Sequence, residues 1–261
     1  MAVQLYNSPV FSSKNKLPER FERKFYVYSN EIGLAYNLLH QICVKDRDFY
    51  SEQINSLYFD SVNLDQHEKS ISGDYRKDKI RIRWYGKELN KSGTQIVFVE
   101  RKSRFGFAGT KQRTKLEIPV DKLETGNLYK GIIPHHRLME ILAEYGYYPP
   151  EIIQPVIRIS YWRYRFSEVI TGQRVSLDCH INSTMILPGS GNGERDLELP
   201  GAVIEIKGEK MELPVTLMRA RILDTDWARF SKYSASIDAH SENPGVIGRL
   251  SPSGKVIGYS S

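Results

Sequence analysis

Polar and apolar residues alternate with a period of two along much of the chain. Successive side chains of a β-strand point to opposite faces of a sheet, so this alternation predicts strands with one apolar and one polar face. Few helical segments lie between these strands, which favours an antiparallel α+β sheet or barrel over a βαβ fold. The eight predicted strands cover residues 21–28, 54–60, 77–86, 95–102, 111–120, 156–166, 174–181 and 203–207.

Three other segments show the spacing of an amphipathic helix. The first starts near the Ser-Asn pair at 29–30, either residue of which can cap it, and has apolar side chains at intervals of four up to Ile42. The second covers residues 135–145, and the third covers 215–223, directly after Pro214.

The strands and helices are predicted to form one domain over residues 17–240, because nothing inside that range has the composition of an interdomain linker. Residues 1–16 are polar and irregular, and residues 241–261 are rich in Gly, Ser and Pro. We therefore expect both termini to be flexible. A Gly-rich segment at 188–195 predicts a surface loop.

The polar positions of the predicted strands are nearly all Arg, Lys or Glu. In the segment 79–84, Lys79, Arg81 and Arg83 alternate with two isoleucines and a tryptophan. The polar faces of the other strands carry the following residues: Arg20, Glu22, Lys24, Glu100, Lys102, Arg113, Lys115, Glu117, Arg163, Arg165, Arg174, Ser176, Asp178, Glu205 and Lys207. Arg is well suited to bidentate phosphate binding.

A charged sheet face of this kind can simply be exposed to solvent. The alternative is a barrel closed with its charged face inward and its apolar face covered by helices. Crowded cations repel one another and burial disfavours each of them, so this interior requires water and a polyanion. The few carboxylates would then be available to hold Mg²⁺ or Mn²⁺, which take oxygen ligands and bridge phosphates.

The composition is compatible with such a partner. The chain of 261 residues has 37 Lys plus Arg and 31 Asp plus Glu, a formal net charge of +6.

The cysteines, Cys43 and Cys179, are too few for a disulfide framework. No apolar run has the length of a signal peptide core or a membrane span. We expect a soluble, cytoplasmic protein.

Eight short motifs, in order, resemble the polyphosphate polymerase (vacuolar transporter chaperone, VTC) domain of the triphosphate tunnel metalloenzyme superfamily. The resemblance spans about residues 19–233. The motifs are Phe21-Glu-Arg-Lys24, Ser56-Leu-Tyr-Phe-Asp60, Lys79-Ile-Arg-Ile-Arg83, Val99-Glu-Arg-Lys102, Tyr161-Trp-Arg163, Arg174-Val-Ser-Leu-Asp178, Val203-Ile-Glu-Ile-Lys207 and Phe230-Ser-Lys-Tyr233.

The resemblance implies a closed tunnel of eight antiparallel strands in which the γ-phosphate of ATP is transferred to a growing polyphosphate chain. By position, the residues that would line the tunnel and bind phosphate are Lys24, Arg81, Arg83, Lys102, Lys115, Arg163, Arg174 and Lys232, with further contacts from Ser231, Lys207, Arg113 and Arg229. Glu205 would hold Mn²⁺ or Mg²⁺, together with Glu22 or Glu100.

One position departs from the superfamily's pattern. Its first strand often reads Glu-x-Glu-x-Lys, but the first of these glutamates is Arg20 here. A lost carboxylate and a gained cation favour the polymerase branch over a two-metal hydrolase. The added regulatory domain and membrane helices of the eukaryotic complexes would not fit in 261 residues, so we expect a form that resembles the stand-alone bacterial one.

Three other functions stay open at this point. A metal-dependent triphosphatase would release only free phosphate, and a non-catalytic polyphosphate-binding module would bind without turnover. A nucleic-acid-binding β-domain is disfavoured, because the aromatic residues lie mostly on the apolar faces or at strand ends and are not interleaved with Arg and Lys. The sequence does not predict the oligomeric state.

Overall fold

The computed structural model describes residues 21–86, 93–106, 108–186, 196–209, 212–218, 223, 230–242, 249–250 and 256–257. Ten strands form one sheet: β1 (Phe21–Val27), β2 (Cys43–Lys45), β3 (Ser51–Asp60), β4 (Arg76–Tyr85), β5 (Thr94–Phe105), β6 (Ala108–Pro119), β7 (Gln154–Glu168), β8 (Arg174–Met185), β9 (Asp196–Leu199) and β10 (Ala202–Gly208). The α-helices are α1 (Ile32–Ile42), α2 (Asp65–Ile71), α3 (His135–Glu144) and α4 (Lys232–Glu242). A separate two-stranded ribbon pairs β11 (Arg249–Leu250) with β12 (Val256–Ile257).

The main sheet is antiparallel throughout, with the strand order β1-β10-β8-β7-β3-β4-β5-β6. All eight predicted strands are present, and most of them are longer than the alternation indicated. The two strands that were not predicted lie off this path, where β2 pairs with β7 and β9 pairs with β8.

The predicted closed eight-stranded barrel is wrong in its closure and its strand number. In the described part of the chain, β1 and β6 stand at opposite ends of the strand order and share no backbone ladder. The sheet instead curls until side chains from its two ends meet, and Glu22 of β1 lies 3.1 Å from Lys102 of β5. Charged side chains occupy the gap that a barrel would close with backbone hydrogen bonds, so the fold is tunnel-like but open.

The apolar face of the sheet lies outside this curl and is covered by helices, as expected. Beneath α3, a core forms around Ile80, Ile82 and Val99, against Leu138 and Leu142 of the helix. A second core lies beneath α1, where Leu39 and Ile42 pack against side chains of β8 and β10. Burying these apolar side chains stabilises the sheet. A third core, which includes Tyr58, Tyr161 and Tyr233, packs α4 against the concave side, next to the charged residues.

The helix predictions are confirmed in part. Residues 135–144 form α3, and α1 ends at Ile42 as predicted. The predicted cap is wrong, because residues 29–31 form a 3₁₀ turn before α1 and no side chain caps the helix. The third segment has only a short turn at 215–218, held by hydrogen bonds to the carbonyl of Pro214, and most of its remainder lies outside the described residues.

The predicted loop at 188–195, the residues Arg20 and Arg229, and most of the predicted flexible termini also lie outside the described residues. Within the described ranges, the helices are all too short or too polar to cross a lipid bilayer.

Candidate phosphate-binding site

The concave side of the sheet carries the charged residues predicted from the alternation. We call it the polar face, and its central residues are Glu22, Lys24, Lys79, Arg81, Arg83, Glu100, Lys102, Arg163, Asp178, Glu205 and Lys207, together with Ser231 and Lys232 from the start of α4. The register confirms the sorting, because directly paired residues share a face: Arg81 is opposite Glu100, and Lys24 is opposite Glu205.

Glu100 is the centre of one cluster of cations. Its side chain is only 1% exposed, and Arg81 donates two hydrogen bonds to its Oε2, from Nε at 2.8 Å and Nη2 at 2.7 Å. Lys111 and Arg113 approach its Oε1 at 2.7 and 3.2 Å, and Arg83 lies 4.0 Å from Oε2. Although burial opposes the charge, Arg81, Arg83 and Lys111 lower the pKa of Glu100 to about 2.

Hydroxyl groups from neighbouring strands hold the two central arginines. The Tyr58 hydroxyl accepts a hydrogen bond from Nη1 of Arg81 at 3.0 Å. Arg83, which is 7% exposed, donates to the Ser56 hydroxyl at 3.5 Å and to the Tyr161 hydroxyl at 3.3 Å. These neutral partners fix the guanidinium planes. Because Glu100 accepts only from Nε and Nη2 of Arg81 and lies 4.0 Å from Arg83, both arginines keep donors available for an anion.

Asp178 is the centre of a second cluster. It is fully buried and accepts two hydrogen bonds from Arg163, at 2.5 and 2.6 Å, and one from Lys232 at 2.6 Å. Arg163 also reaches Glu205 at 2.9 Å, and Lys207 approaches Glu205 at 3.2 Å. Burial works against both carboxylates, but Arg163 lowers the pKa of Asp178, and Lys207 with Arg163 holds that of Glu205 well below its usual range.

The start of α4 reaches into the polar face between the two ends of the sheet. The Phe230 carbonyl accepts a hydrogen bond from Lys24 at 3.1 Å, and the Ser231 hydroxyl accepts one from Lys79 at 2.6 Å. Ser231 also caps the helix, because its Oγ accepts a hydrogen bond from the backbone N–H of Ser234 at 3.3 Å. The positive end of the helix dipole therefore adds to the potential of the neighbouring lysines.

Of the predicted site residues that the structure describes, most lie together on the polar face, and Lys115 and Arg174 lie at its margins. Lys115 is exposed opposite Phe98, and the guanidinium of Arg113 stacks on the ring of Phe98 at 3.4 Å. Arg174 is exposed and paired with Lys207, and both line a pocket beside the turn between β7 and β8.

Three residues of the polar face were missing from the predicted site. Asp178 organises Arg163 and Lys232, Lys111 contacts Glu100, and Lys79 contacts Ser231. The alternation of polar and apolar residues placed Asp178 and Lys79 on the correct face, and the same alternation includes Lys111. This pattern could therefore have identified all three residues. It could not show which polar positions contact one another across the curl.

Two of the three predicted metal ligands are adjacent. The carboxyl groups of Glu22 and Glu205 lie within hydrogen-bonding reach of each other. Glu100 lies in its own cluster of four cations, and the described residues contain no group of three or more Asp, Glu, His or Cys able to hold a metal by themselves. Two carboxylates fit a Mg²⁺ or Mn²⁺ ion that takes its other ligands from water and from phosphate oxygens.

The polar face holds more cations than carboxylates, and their repulsion affects individual pKa values. Burial and the positive charges of Lys24 and Lys102 lower the pKa of Lys79 to about 7. Burial and Lys24 also lower the pKa of Lys102. Burial disfavours the charge of Lys24 itself, but Glu22 and Glu205 raise its pKa. Positive charge in a curled, partly desolvated face is typical of a site for a polyanion.

The VTC domain model matches residues 19–240, which is most of the chain. The chain belongs to the VTC domain family. Membership in this family supports an activity on polyphosphate or on a triphosphate. It indicates a phosphoryl-transfer or triphosphate-acting enzyme, but it does not establish polymerisation. Among the curated proteins, no match was found.

Solved structures that align with this chain include two candidate adenylate cyclases. One, from Bacillus halodurans, has 17% identity and a TM-score of 0.43, with 78% of this chain and 84% of that chain covered. The other, from Vibrio parahaemolyticus, has 14% identity and a TM-score of 0.37, with 85% and 86% covered. A chain of the Schizosaccharomyces pombe Mediator head module has 8% identity and a TM-score of 0.32, with 78% and 89% covered.

Proposed function

We propose that this VTC domain is an ATP-dependent polyphosphate polymerase that transfers the γ-phosphate of ATP to a polyphosphate chain bound along the polar face. The observation that carries the proposal is the excess of fixed, partly buried cations on the concave side of the sheet, centred on Arg81 and Arg83. Phosphoryl transfer depends mainly on positioning and on charge stabilisation, and an array of this kind supplies both.

In this proposal, the cations of the two clusters bind different parts of the substrates. Arg81 and Arg83, held by Glu100 and by three hydroxyl groups, would bind the triphosphate through their guanidinium donors. Lys232 and Ser231, at the start of α4, would contact the phosphate chain from the opposite side. Because each group is held in place before the substrate binds, little reorganisation accompanies the reaction.

Glu22 and Glu205 would hold the Mn²⁺ or Mg²⁺ ion, which would supply positive charge to offset that of the phosphates. The cations Lys24, Lys102 and Lys207 surround this carboxylate pair and keep both carboxylates ionised at neutral pH.

The carboxylates themselves favour transfer to phosphate over transfer to water. Activating a water molecule benefits from a base with a pKa near the working pH. The pKa values of Glu100, Asp178 and Glu205 are all lowered by contacting cations, so these groups are weak bases. The terminal phosphate of a polyphosphate chain is ionised near neutral pH and requires no such base. Hydrolysis of short chains would be a side reaction.

The test is incubation of the purified protein with ATP and Mn²⁺, followed by gel separation of the products. We expect phosphate chains longer than the triphosphate of ATP. Free phosphate as the sole product would support a triphosphatase instead. Tight polyphosphate binding without any turnover would support a non-catalytic binding module.

A further inference from the structure

Lys79 differs from the other lysines at the centre of the polar face in lacking a carboxylate partner. Lys24 and Lys102 both contact Glu22, and Lys232 contacts Asp178. Among the described residues, no carboxylate lies within ion-pair distance of Lys79. Its Nζ donates a hydrogen bond of 2.6 Å to the neutral hydroxyl of Ser231 and lies 5.9 Å from the centre of the Tyr233 ring.

The charged groups with the strongest effect on Lys79 are all cations: Lys24 from β1, Lys77 and Arg81 from β4, and Lys102 from β5. Its contacts at the start of α4, Ser231 and Tyr233, are neutral. The carboxylates next to these groups contact other partners, Glu22 with Lys24 and Lys102, and Asp60 with the Tyr233 hydroxyl. An ammonium group in this position is repelled by three lysines and one arginine, and it is partly removed from water. Both effects favour the neutral amine when no anion is bound.

A bound phosphate chain would reverse this balance. The hydroxyl that accepts the hydrogen bond from Lys79 belongs to Ser231, one of the predicted phosphate-contacting residues, so Lys79 is within reach of the same anion. A phosphate oxygen near Nζ would supply a negative charge at ion-pair distance, which no described carboxylate provides, and it would favour the ammonium form.

We propose that Lys79 is an additional phosphate-binding residue of the polar face, and that its amine takes up a proton from solvent when a polyphosphate anion binds. The proton adds to the nitrogen lone pair, and no other bond forms or breaks. The inference rests on the proposed function and deepens it, because it makes the affinity for the phosphate chain depend on pH near neutrality. With no anion bound, the pKa of about 7 for Lys79 agrees with this geometry.

The experiment is calorimetric titration of the full chain with sodium tripolyphosphate, without added metal, in two buffers with different ionisation enthalpies. Comparing the two heats gives the number of protons taken up per anion bound. The test variant is Lys79→Arg, which keeps the positive charge but does not titrate near neutral pH. Lys130→Arg, at an exposed lysine beside Tyr129, is the matched control.

At pH 7.5, wild type should take up about 0.8 proton more than Lys79→Arg, since a lysine with a pKa of about 7 is then mostly neutral before binding. At pH 6 the difference should fall to about 0.1 proton, because the lysine is already charged. By linkage, the Kd of wild type should rise about tenfold between pH 6 and pH 8 relative to that of Lys79→Arg. The Lys130→Arg variant should match wild type throughout.

Equal proton uptake by wild type and Lys79→Arg at pH 7.5, with both proteins binding the anion, would overturn the inference and leave the proposed function intact. A wild-type protein that gives no heat of binding with tripolyphosphate at any pH would overturn the proposed function, and this inference with it. Lys79→Met serves as a second variant. It should bind the anion more weakly at pH 6, and an unchanged affinity there would also contradict the inference.

Discussion

The hydroxyl of Tyr233 donates a hydrogen bond of 2.5 Å to the buried carboxylate of Asp60. The same carboxylate accepts hydrogen bonds from the backbone N–H groups of Gln66 and His67, at the start of α2. Asp60 thus connects the end of β3 with two helices that are far apart in the sequence. One of them, α4, presents Ser231 and Lys232 to the polar face.

Replacing Tyr233 by Phe tests this connection. The Tyr233 ring stacks on Tyr58 with centroids 4.9 Å apart, and Phe retains that contact. The variant therefore removes only the hydroxyl, and we expect a loss of about 1–3 kcal/mol in the free energy of unfolding. Polyphosphate synthesis should also fall, because the start of α4 is less firmly placed. Urea unfolding measures the first effect, with exposed Tyr129→Phe as the control. Equal stability of wild type and Tyr233→Phe would contradict the role of Asp60.

Arg83 is expected to be required for turnover. Arg83 is 7% exposed, and its guanidinium is held by the Ser56 and Tyr161 hydroxyls and lies 4.0 Å from Glu100, so its remaining donors are available to phosphate. Arg83→Ala should lower ATP-dependent polyphosphate synthesis at least tenfold, about 1.4 kcal/mol in the barrier. The matched control is Arg137→Ala, which removes an exposed arginine from α3. A fully active, folded Arg83→Ala protein would remove this residue from the site.

Glu205 is expected to control the response to metal. Glu205→Gln keeps the shape of the side chain but weakens its oxygen as a ligand, so added Mn²⁺ should no longer stimulate synthesis. Tripolyphosphate binding should persist, because the cations around Glu205 remain. A titration with Mn²⁺ measures the effect, and Glu140→Gln, on the exposed side of α3, is the control. The same Mn²⁺ dependence in wild type and Glu205→Gln would show that Glu205 is not a ligand.

Glu168 is expected to make stability depend on acid pH. It is 2% exposed, and its carboxylate accepts hydrogen bonds from Thr171, Thr216 and the N–H of Ile170. Burial opposes its charge, yet these donors lower its pKa to about 2 from 4.5. A depressed folded-state pKa stabilises the protein above pH 4.5, and this contribution is lost as pH falls from 4.5 towards 2.

The Glu168→Gln variant should accordingly be less stable than wild type by about 1–3 kcal/mol at pH 7. The difference should narrow below pH 4.5, where Glu168 of the unfolded wild-type chain begins to take up a proton while the folded chain does not. Urea midpoints measured from pH 7 to pH 3 check this trend. A difference that stays constant over the whole range would mean that the charge of Glu168 is not responsible.

The alternation of side chains was enough to predict the sheet and its polar face, since each strand records in its own sequence which side chains share a face. It did not predict β2 and β9, which contain three and four residues and are too short to show a period. The prediction of a closed barrel was wrong for a different reason. Whether two edge strands pair depends on the tilt and stagger of the strands, and the alternation of polar residues in a single strand determines neither.

The helix α4 shows why part of the site was hard to predict. It is buried on several sides through small side chains such as Ala235, Ser236 and Ala239, so it lacks the apolar stripe of an amphipathic helix. Ser231 and Lys232 were therefore identified through the family resemblance, without a helix to place them. Asp178 was on the predicted face, but its contacts with Arg163 and Lys232 depend on the fold of the whole chain.

The most direct test of the account is a crystal structure of the protein with tripolyphosphate bound. The account predicts phosphate groups on the concave side of the sheet, with oxygen atoms within hydrogen-bond distance of the Arg81 and Arg83 guanidinium groups. Phosphate found only on the outer surface, with the polar face filled by water and its ion pairs unchanged, would contradict it.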